Sequence, residues 1–374
     1  MMRRSVISCA AAAAVLAGAD AVVAEDDSAT QLRPAIASPY RVVTTTSDVS
    51  GAQPITIDGN TLDPAIQRLL AARQAHGESG LVVDNDPVAT RAHMEETPDE
   101  LARARTQFPV NVDDLMIAGA TGPLHARHYR PPGSPPAPLL VFYHGGGFVY
   151  GDLDLYDPLA RRICQDAGVH VLSIDYRLAP EHKAPAAVED AYAAFRWATA
   201  HAGELQALPD RIAVGGDSAG GTLAAVVSRL ARDDGGPLPA LQWLAYPLTD
   251  AGAKTPSRAL FANGFLLTDH DLNWFNDEYL GGSDVALTDP RVSPLLAANL
   301  AGLPPAVLIT AGFDPLRDED TEYADALRSA GVEVDVRKMP SLIHAFLNLG
   351  SLGGATEQAI SEAIAALRGH LNDK

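Results

Sequence analysis

Two cysteines are the whole thiol complement of this 374-residue chain, and one of them, Cys9, lies in the first few residues. If that start is removed, Cys164 stands alone. No intrachain disulfide is then available, and Cys164, beside Ile163 in an apolar-periodic segment, reads as a buried, inert thiol. The alanine-rich run through Val15-Leu16-Ala17 is too short to cross a bilayer, so no stable membrane insertion is expected. Basic residues are scarce: 28 Lys and Arg stand against 47 Asp and Glu, a formal net charge of −19. That balance argues against nucleic acid and anionic membrane surfaces as partners and favours solubility. Repeats, heptads, metal-ligand spacings and dinucleotide fingerprints are missing as well, so no cofactor and no metal are implied.

What is present is a chain that is 47% hydrophobic and 20% charged, enough for one large α/β core. Met1-Met2-Arg3-Arg4 followed by an apolar, alanine-rich run reads as a signal peptide over residues 1–24, with cleavage after Ala21 or Ala24. This predicts export to the periplasm or medium; an alanine-rich amphipathic helix on a cytoplasmic protein is the alternative. Residues 25–60 are polar and Ser/Thr-rich without a clear period, and are expected as a linker or extended arm.

The most telling stretch is Val214-Gly215-Gly216-Asp217-Ser218-Ala219-Gly220-Gly221. Arg211 to Val214 reads as a short buried strand and Thr222 to Val227 as a buried helix, so Ser218 falls in the tight turn between them. Gly216 and Gly220 complete G-x-S-x-G, in which small neighbours let a strained turn lift a serine hydroxyl clear of a sheet. A glycine-rich turn that merely packs closely, or cradles a phosphate, has the same local pattern. A second motif separates the readings. The apolar run Pro138 to Tyr143 opens into His144-Gly145-Gly146-Gly147-Phe148, a loop of the kind that aims backbone N–H groups at one oxygen. Both motifs together, in this order, point to a serine hydrolase.

A serine hydroxyl needs a base and a group that orients the base. In strand-turn-helix hydrolases these follow the serine, acid first and histidine last. Beyond Ser218 lie only His270, His344 and His370. His270 sits at a helix start and His370 near the end of a terminal helix, which leaves His344, on a loop after the strand Val332 to Arg337. Asp314 follows the apolar run Ala306 to Thr310, at the carboxyl end of a buried parallel strand, where open α/β sheets build their sites. Asp318 and Asp320 compete for the role but fit the acidic first turn of the next helix.

Together with Asp175-Tyr176-Arg177-Leu178-Ala179-Pro180-Glu181 and Asp314-Pro315-Leu316-Arg317-Asp318-Glu319, these motifs resemble those of the hormone-sensitive-lipase family, in its bacterial esterase group. The resemblance spans roughly residues 60–370. It implies an α/β-hydrolase fold: a mostly parallel central sheet with helices on both faces and a small helical cap over residues 61–374, the cap built from about 61–108 and 255–285. It implies a carboxylic ester hydrolase acting on short-chain acyl esters through Ser218, Asp314 and His344. The oxyanion hole falls on the amides of Gly145, Gly146 and Ala219, with His144, Gly147 and Asp217 as loop supports. The expected partner is a small-molecule ester; a homodimer is left open. A ligand-binding relative on the same scaffold would lose the base, and an amidase or peptidase would share the triad. One departure shows: Ala345 stands where family members often carry glycine. Bulky residues at Phe261, Phe265, Trp274 and Phe275 are expected to close the cap over the site.

Overall fold

The protein is described by a computed structural model that covers residues 53–95, 98–133 and 135–372. The expected signal peptide, and residues 25–52 of the expected arm, lie outside the described residues. The end of that arm differs from expectation. Residues 56–61 form a small hairpin, β1 (Thr56–Ile57) and β2 (Asn60–Thr61), and Asp63 N–H donates to the Ser341 carbonyl.

Three helices follow: α1 (Pro64–Ala75), α2 (Pro87–Met94) and α3 (Pro98–Gln107). Asp63 caps α1 and Asp86 caps α2, each accepting two backbone N–H groups ahead of a proline in the first turn. The sheet then begins with the antiparallel pair β3 (Asn111–Ala118) and β4 (Pro123–Arg130). After it come β5 (Ala137–Tyr143), α4 (Asp157–Ala167), β6 (His170–Ile174), α5 (Ala186–Ala200), β7 (Ala207–Asp217) and α6 (Ala219–Asp233). The chain continues through β8 (Gln242–Ala245), α7 (Pro256–Leu260), α8 (Asp269–Leu280), β9 (Ala306–Phe313), α9 (Arg317–Ser329), β10 (Val334–Ile343) and α10 (Gly354–Asn372).

The eight strands from β3 onward form one sheet in the order β10-β9-β8-β7-β5-β6-β4-β3. Every pair from β6 to β10 is parallel; β4 meets β6 and β3 antiparallel. Every residue of β5, β6, β8 and β9 is buried. Strands covered on both sides read as continuous apolar runs, which is why Leu140, Val171, Leu244 and Leu308 mark them in the sequence. Parallel strands also send all their carboxyl ends to one edge, and the candidate residues gather there.

The segment from α7 to α8 and the helices α1 to α3 lie over that edge and are tied together by charge. Asp271, whose carboxylate reaches back to the N-cap Thr268 in the capping box of α8, accepts the N–H groups of Leu81 and Val82 at 3.1 and 3.0 Å. Arg91 on α2 reaches the carbonyls of Val149 and Ala179 and pairs bidentately with Glu181 at 2.9 and 2.7 Å. Sequence reading missed α2, whose only signal was Asp86 followed by Pro87. Among the described residues no helix is long and apolar enough to cross a membrane.

Candidate active site

Strand register brings the acid and the base together. Ile343 pairs with Phe313 in parallel alignment, so the next residues, His344 and Asp314, leave neighbouring strands side by side. The strand carrying His344 runs farther than its sequence suggests, to Ile343, with an irregularity between Met339 and Ile343. On the other side of the sheet's centre Tyr143 pairs with Gly216, which sets the glycine loop against the serine turn.

The result is a linked chain of three side chains. His344 Nε2 lies 2.9 Å from Ser218 Oγ, and His344 Nδ1 lies 2.8 Å from Asp314 Oδ2. Asp314 is fully buried and accepts the Leu316 N–H at 2.8 Å with its other oxygen. That contact leaves Oδ2 for the imidazole. Ser218 holds φ 51° and ψ −122°, a backbone conformation that costs on the order of 1–3 kcal/mol for a non-glycine residue. Its N–H donates to the Ala245 carbonyl at 2.8 Å, and its own carbonyl accepts from Thr222, whose hydroxyl is anchored on the Leu248 carbonyl. Gly220 makes the turn possible, because a Cβ there would stand 1.9 Å from the Tyr143 carbonyl oxygen.

The glycine loop corrects one expectation. Gly145 N–H donates to Asp217 Oδ1 at 2.9 Å, behind the loop, and is not free to hold a substrate oxygen. The cavity is lined instead by Gly146, Gly147 and Ala219, whose amides have no acceptor among the described residues. Gly146 sits at φ 109°, with the Tyr150 carbonyl oxygen 2.0 Å from where a Cβ would be; no other residue fits.

Asp217 is thus a junction. Besides Gly145 it accepts the Tyr156 hydroxyl at 3.1 Å and lies 3.5 Å from Asn348 Nδ2, on the turn that follows His344. Burial pushes its carboxyl up to about 6, against the lowering pull of the Tyr156 hydroxyl and His344. Neither Tyr156 nor Asn348 carries a sequence signal for this role. His144 is fully buried, stacked on Tyr176 with ring centroids 4.3 Å apart, and its Nδ1 is 2.7 Å from the Gly145 carbonyl. Burial lowers its pKa, which favours the neutral ring, and that ring is not part of the cavity lining around the serine. Ala345 explains the glycine usual at its position: it holds φ 60°, in the left-handed region.

The rejected candidates lie elsewhere. His270 Nε2 meets Asn85 Oδ1 at 2.8 Å, and His370 Nε2 meets Asp335 at 3.3 Å. Asp318 accepts the Ser257 N–H at 2.8 Å. Asp320 is in the first turn of α9 as expected, but it and Glu319 are buried, not solvated. Glu319 Oε1 accepts the N–H groups of Thr249 and Asp250, while both oxygens of Asp320 lack a hydrogen-bond partner among the described residues. Cys164 is buried and its thiol is pushed up to about 12, mainly by burial.

A cavity of about 380 Å³ opens over Ser218, and its lining residues fall into two groups, or arms, one on each side. One arm runs beneath the cap, along Leu266, Leu267, Leu272 and Phe275; the other runs between α3, α4 and the turn before α10. Of the four aromatics expected to close the site, only Phe275 lines the cavity. Phe261 and Phe265 pack instead on Phe313, with ring centroids 5.6 and 5.5 Å away, and on each other at 5.2 Å.

A hydroxyl bonded to a histidine, a carboxylate behind it and unsatisfied amides in front can attack a carbonyl and hold the resulting oxyanion. Comparison with known proteins agrees. A family model described as the α/β-hydrolase fold matches residues 140–348. The chain is 57% identical over 329 residues to the carboxylic ester hydrolase LipN of Mycobacterium tuberculosis, covering 87% of each chain. It is 35% identical over 319 residues to an ethyl acetate hydrolase of Pseudomonas putida, covering 83% of this chain and all of that one. Among solved structures, an esterase of Pyrobaculum calidifontis superposes with a TM-score of 0.76 at 37% identity, over 82% of this chain and 98% of the other. With the sheet, the serine turn and these similarities in hand, the chain belongs to the α/β-hydrolase family, in its hormone-sensitive-lipase branch.

Proposed function

We propose that this protein is a carboxylesterase that cleaves short-chain acyl esters by two-step acyl transfer. The observation that carries the reading is the Ser218–His344–Asp314 chain, at 2.9 and 2.8 Å, opening onto a cavity whose commonest lining residue is leucine. His344 takes the Ser218 proton as Oγ attacks the ester carbonyl, and Asp314 keeps the imidazole in the tautomer that accepts it. The oxyanion is held by the amides of Gly146, Gly147 and Ala219. His344 then protonates the leaving alcohol, the acyl-enzyme forms, and water activated by the same histidine releases the acid.

Short chains follow from size. A cavity of about 380 Å³ shared between two arms has room for a small acyl and a small alcohol group. Each methylene that fits contributes up to ~0.8 kcal/mol, and one that overfills forces the cap apart. The expected preference is for acyl groups of about two to eight carbons, at that gain per methylene. The test is kcat/KM on p-nitrophenyl esters from acetate to palmitate, together with stoichiometric fluorophosphonate labelling that Ser218→Ala abolishes. An optimum at the long-chain end with activation at an oil–water interface would make the protein a lipase. Residues 1–24 are proposed as an export signal on their basic start and apolar run. Amino-terminal sequencing of protein from a native-like host tests this, with intact Met1 on cytoplasmic protein as the contrary result.

A further inference from the structure

The arm between α3, α4 and α10 ends on charge. Arg162, on α4, has a side chain only 8% exposed and meets Glu357 of α10 bidentately at 2.8 and 2.6 Å. Its Nε lies 3.3 Å from Asp166, its Nη2 also reaches Ser361 Oγ at 3.2 Å, and its guanidinium stands 5.8 Å from the centroid of Phe108, just past α3. Three elements therefore meet at one cation. An ion pair with one buried partner and one, Glu357, 49% exposed is a weak source of stability, since desolvation of the arginine and solvent screening of the carboxylate offset most of its attraction. Its place on the wall of a cavity, beside Leu159 and Leu349, suggests a different use.

These contacts occupy all but one N–H of the guanidinium; the remaining one is on Nη1. Nη1 lies against Gly350, where a Cβ would be 3.1 Å from it, and Gly350 lines the cavity. Glu357 and Asp166 together balance Arg162 and Arg103, the second arginine on this part of the cavity wall, so no surplus positive charge is left to draw an anion. An alkyl tip that reached this point would strip water from the ions and give nothing back. A neutral oxygen could accept the spare N–H.

We propose that the Arg162–Glu357 pair is the specificity-determining end of this arm: it limits chain length there and favours a chain tipped with a neutral oxygen acceptor, such as a ketone, ether or second ester. The inference rests on the esterase reading. It is tested with two ester series, one varying the acyl chain and one the alcohol, each with ketone-tipped and plain alkyl members of equal length. Profiles are normalised to the shortest member, so a general change in turnover cancels. In one series kcat/KM should climb about fourfold per methylene to a maximum and then fall. At that maximum the ketone-tipped ester should exceed its alkyl counterpart about tenfold, the effect of one hydrogen bond from a charged donor. The double variant Arg162→Met with Glu357→Leu removes both charges, and should move the maximum to longer chains and erase the preference for oxygen. Gly350→Ala keeps both charges and puts a methyl 3.1 Å from Nη1; the maximum should move to shorter chains, which decides the matter if the double variant does not fold. Folded variants with wild-type profiles, or a wild type indifferent to the oxygen tip, overturn the proposal. A wild type that turns over no ester at all sinks the esterase reading itself.

Discussion

Asp217 Oδ1 accepts the Gly145 N–H at 2.9 Å, and through that bond the residue beside the serine determines which loop amides face the cavity. With Gly145 turned back, Gly146 and Gly147 point forward. Removing the acceptor by Asp217→Ala should let the loop drift and cost on the order of 10² in kcat, the scale of one lost oxyanion donor. Asp217→Asn keeps an acceptor oxygen and should recover most of that loss with KM little changed. Steady-state kinetics on both variants check this, and equal losses in the two would remove the loop-positioning role.

The acid of the triad is distinguished from its buried neighbours by a substitution series. Asp314→Asn should cost on the order of 10⁴ in kcat, as loss of the correct imidazole tautomer does in serine proteases, while the protein stays folded. Asp320→Asn, at a carboxyl with no hydrogen-bond partner among the described residues, should fold and keep most of its turnover. The reverse ranking would reassign the acid.

Ala345 holds φ 60° directly after the candidate base. Relieving a left-handed alanine by Ala345→Gly should stabilise the protein by up to about 1 kcal/mol. In a domain this large that corresponds to a rise in Tm of roughly 2 °C. A fall in Tm by calorimetry would mean that the lost methyl contributes more packing than the strain costs.

Glu319 should make stability decline on the alkaline side. Burial raises its carboxyl from 4.5 to about 8, so between those values the folded protein holds a proton that the unfolded chain releases. The group's contribution is full below about pH 4.5 and is lost as pH rises through about 8. Glu319→Gln keeps an oxygen for the Thr249 and Asp250 N–H groups but cannot ionise. Its Tm should fall less than that of the wild type between pH 5 and 8, read by thermal melts across the ~3-unit range that linkage predicts. Parallel curves would show that Glu319 is not protonated in the fold.

His128 acts in the opposite direction. Burial, then the neighbouring His170, lower its pKa from 6.5 to about 3, so the unfolded chain binds the extra proton in that interval. Stability from this group is present above pH 6.5 and is lost as pH falls toward 3. His128→Leu should flatten the acid limb of a Tm profile; an unchanged limb would assign acid sensitivity to other groups.

Much of the scaffold was legible before any coordinates. Apolar runs around Leu140, Val171, Ala213, Leu244 and Leu308 mark strands because a doubly covered parallel strand tolerates almost nothing else. The serine turn and the glycine loop were legible because backbone angles there are limited by contacts a few residues away. Strand ends were less so: β10 runs to Ile343, six residues past Arg337, where the apparent pattern stops, since pairing with β9 sustains it and local propensity does not.

What the sequence determined by itself was therefore the set of chemical parts, Ser218, Asp314, His344 and three glycines, and the local turns that carry them. Their assembly was decided by tertiary structure. Register between β9 and β10 sets His344 beside Asp314, and Asp217, contacted on its other oxygen by Tyr156 and Asn348, turns the Gly145 amide away from the cavity. Arg91 on an unanticipated helix, and the buried Glu319 and Asp320, belong to the same class. Each depends on which distant residue occupies the adjoining space, and spacing along one chain does not encode that, because the neighbours are chosen by strand order and packing.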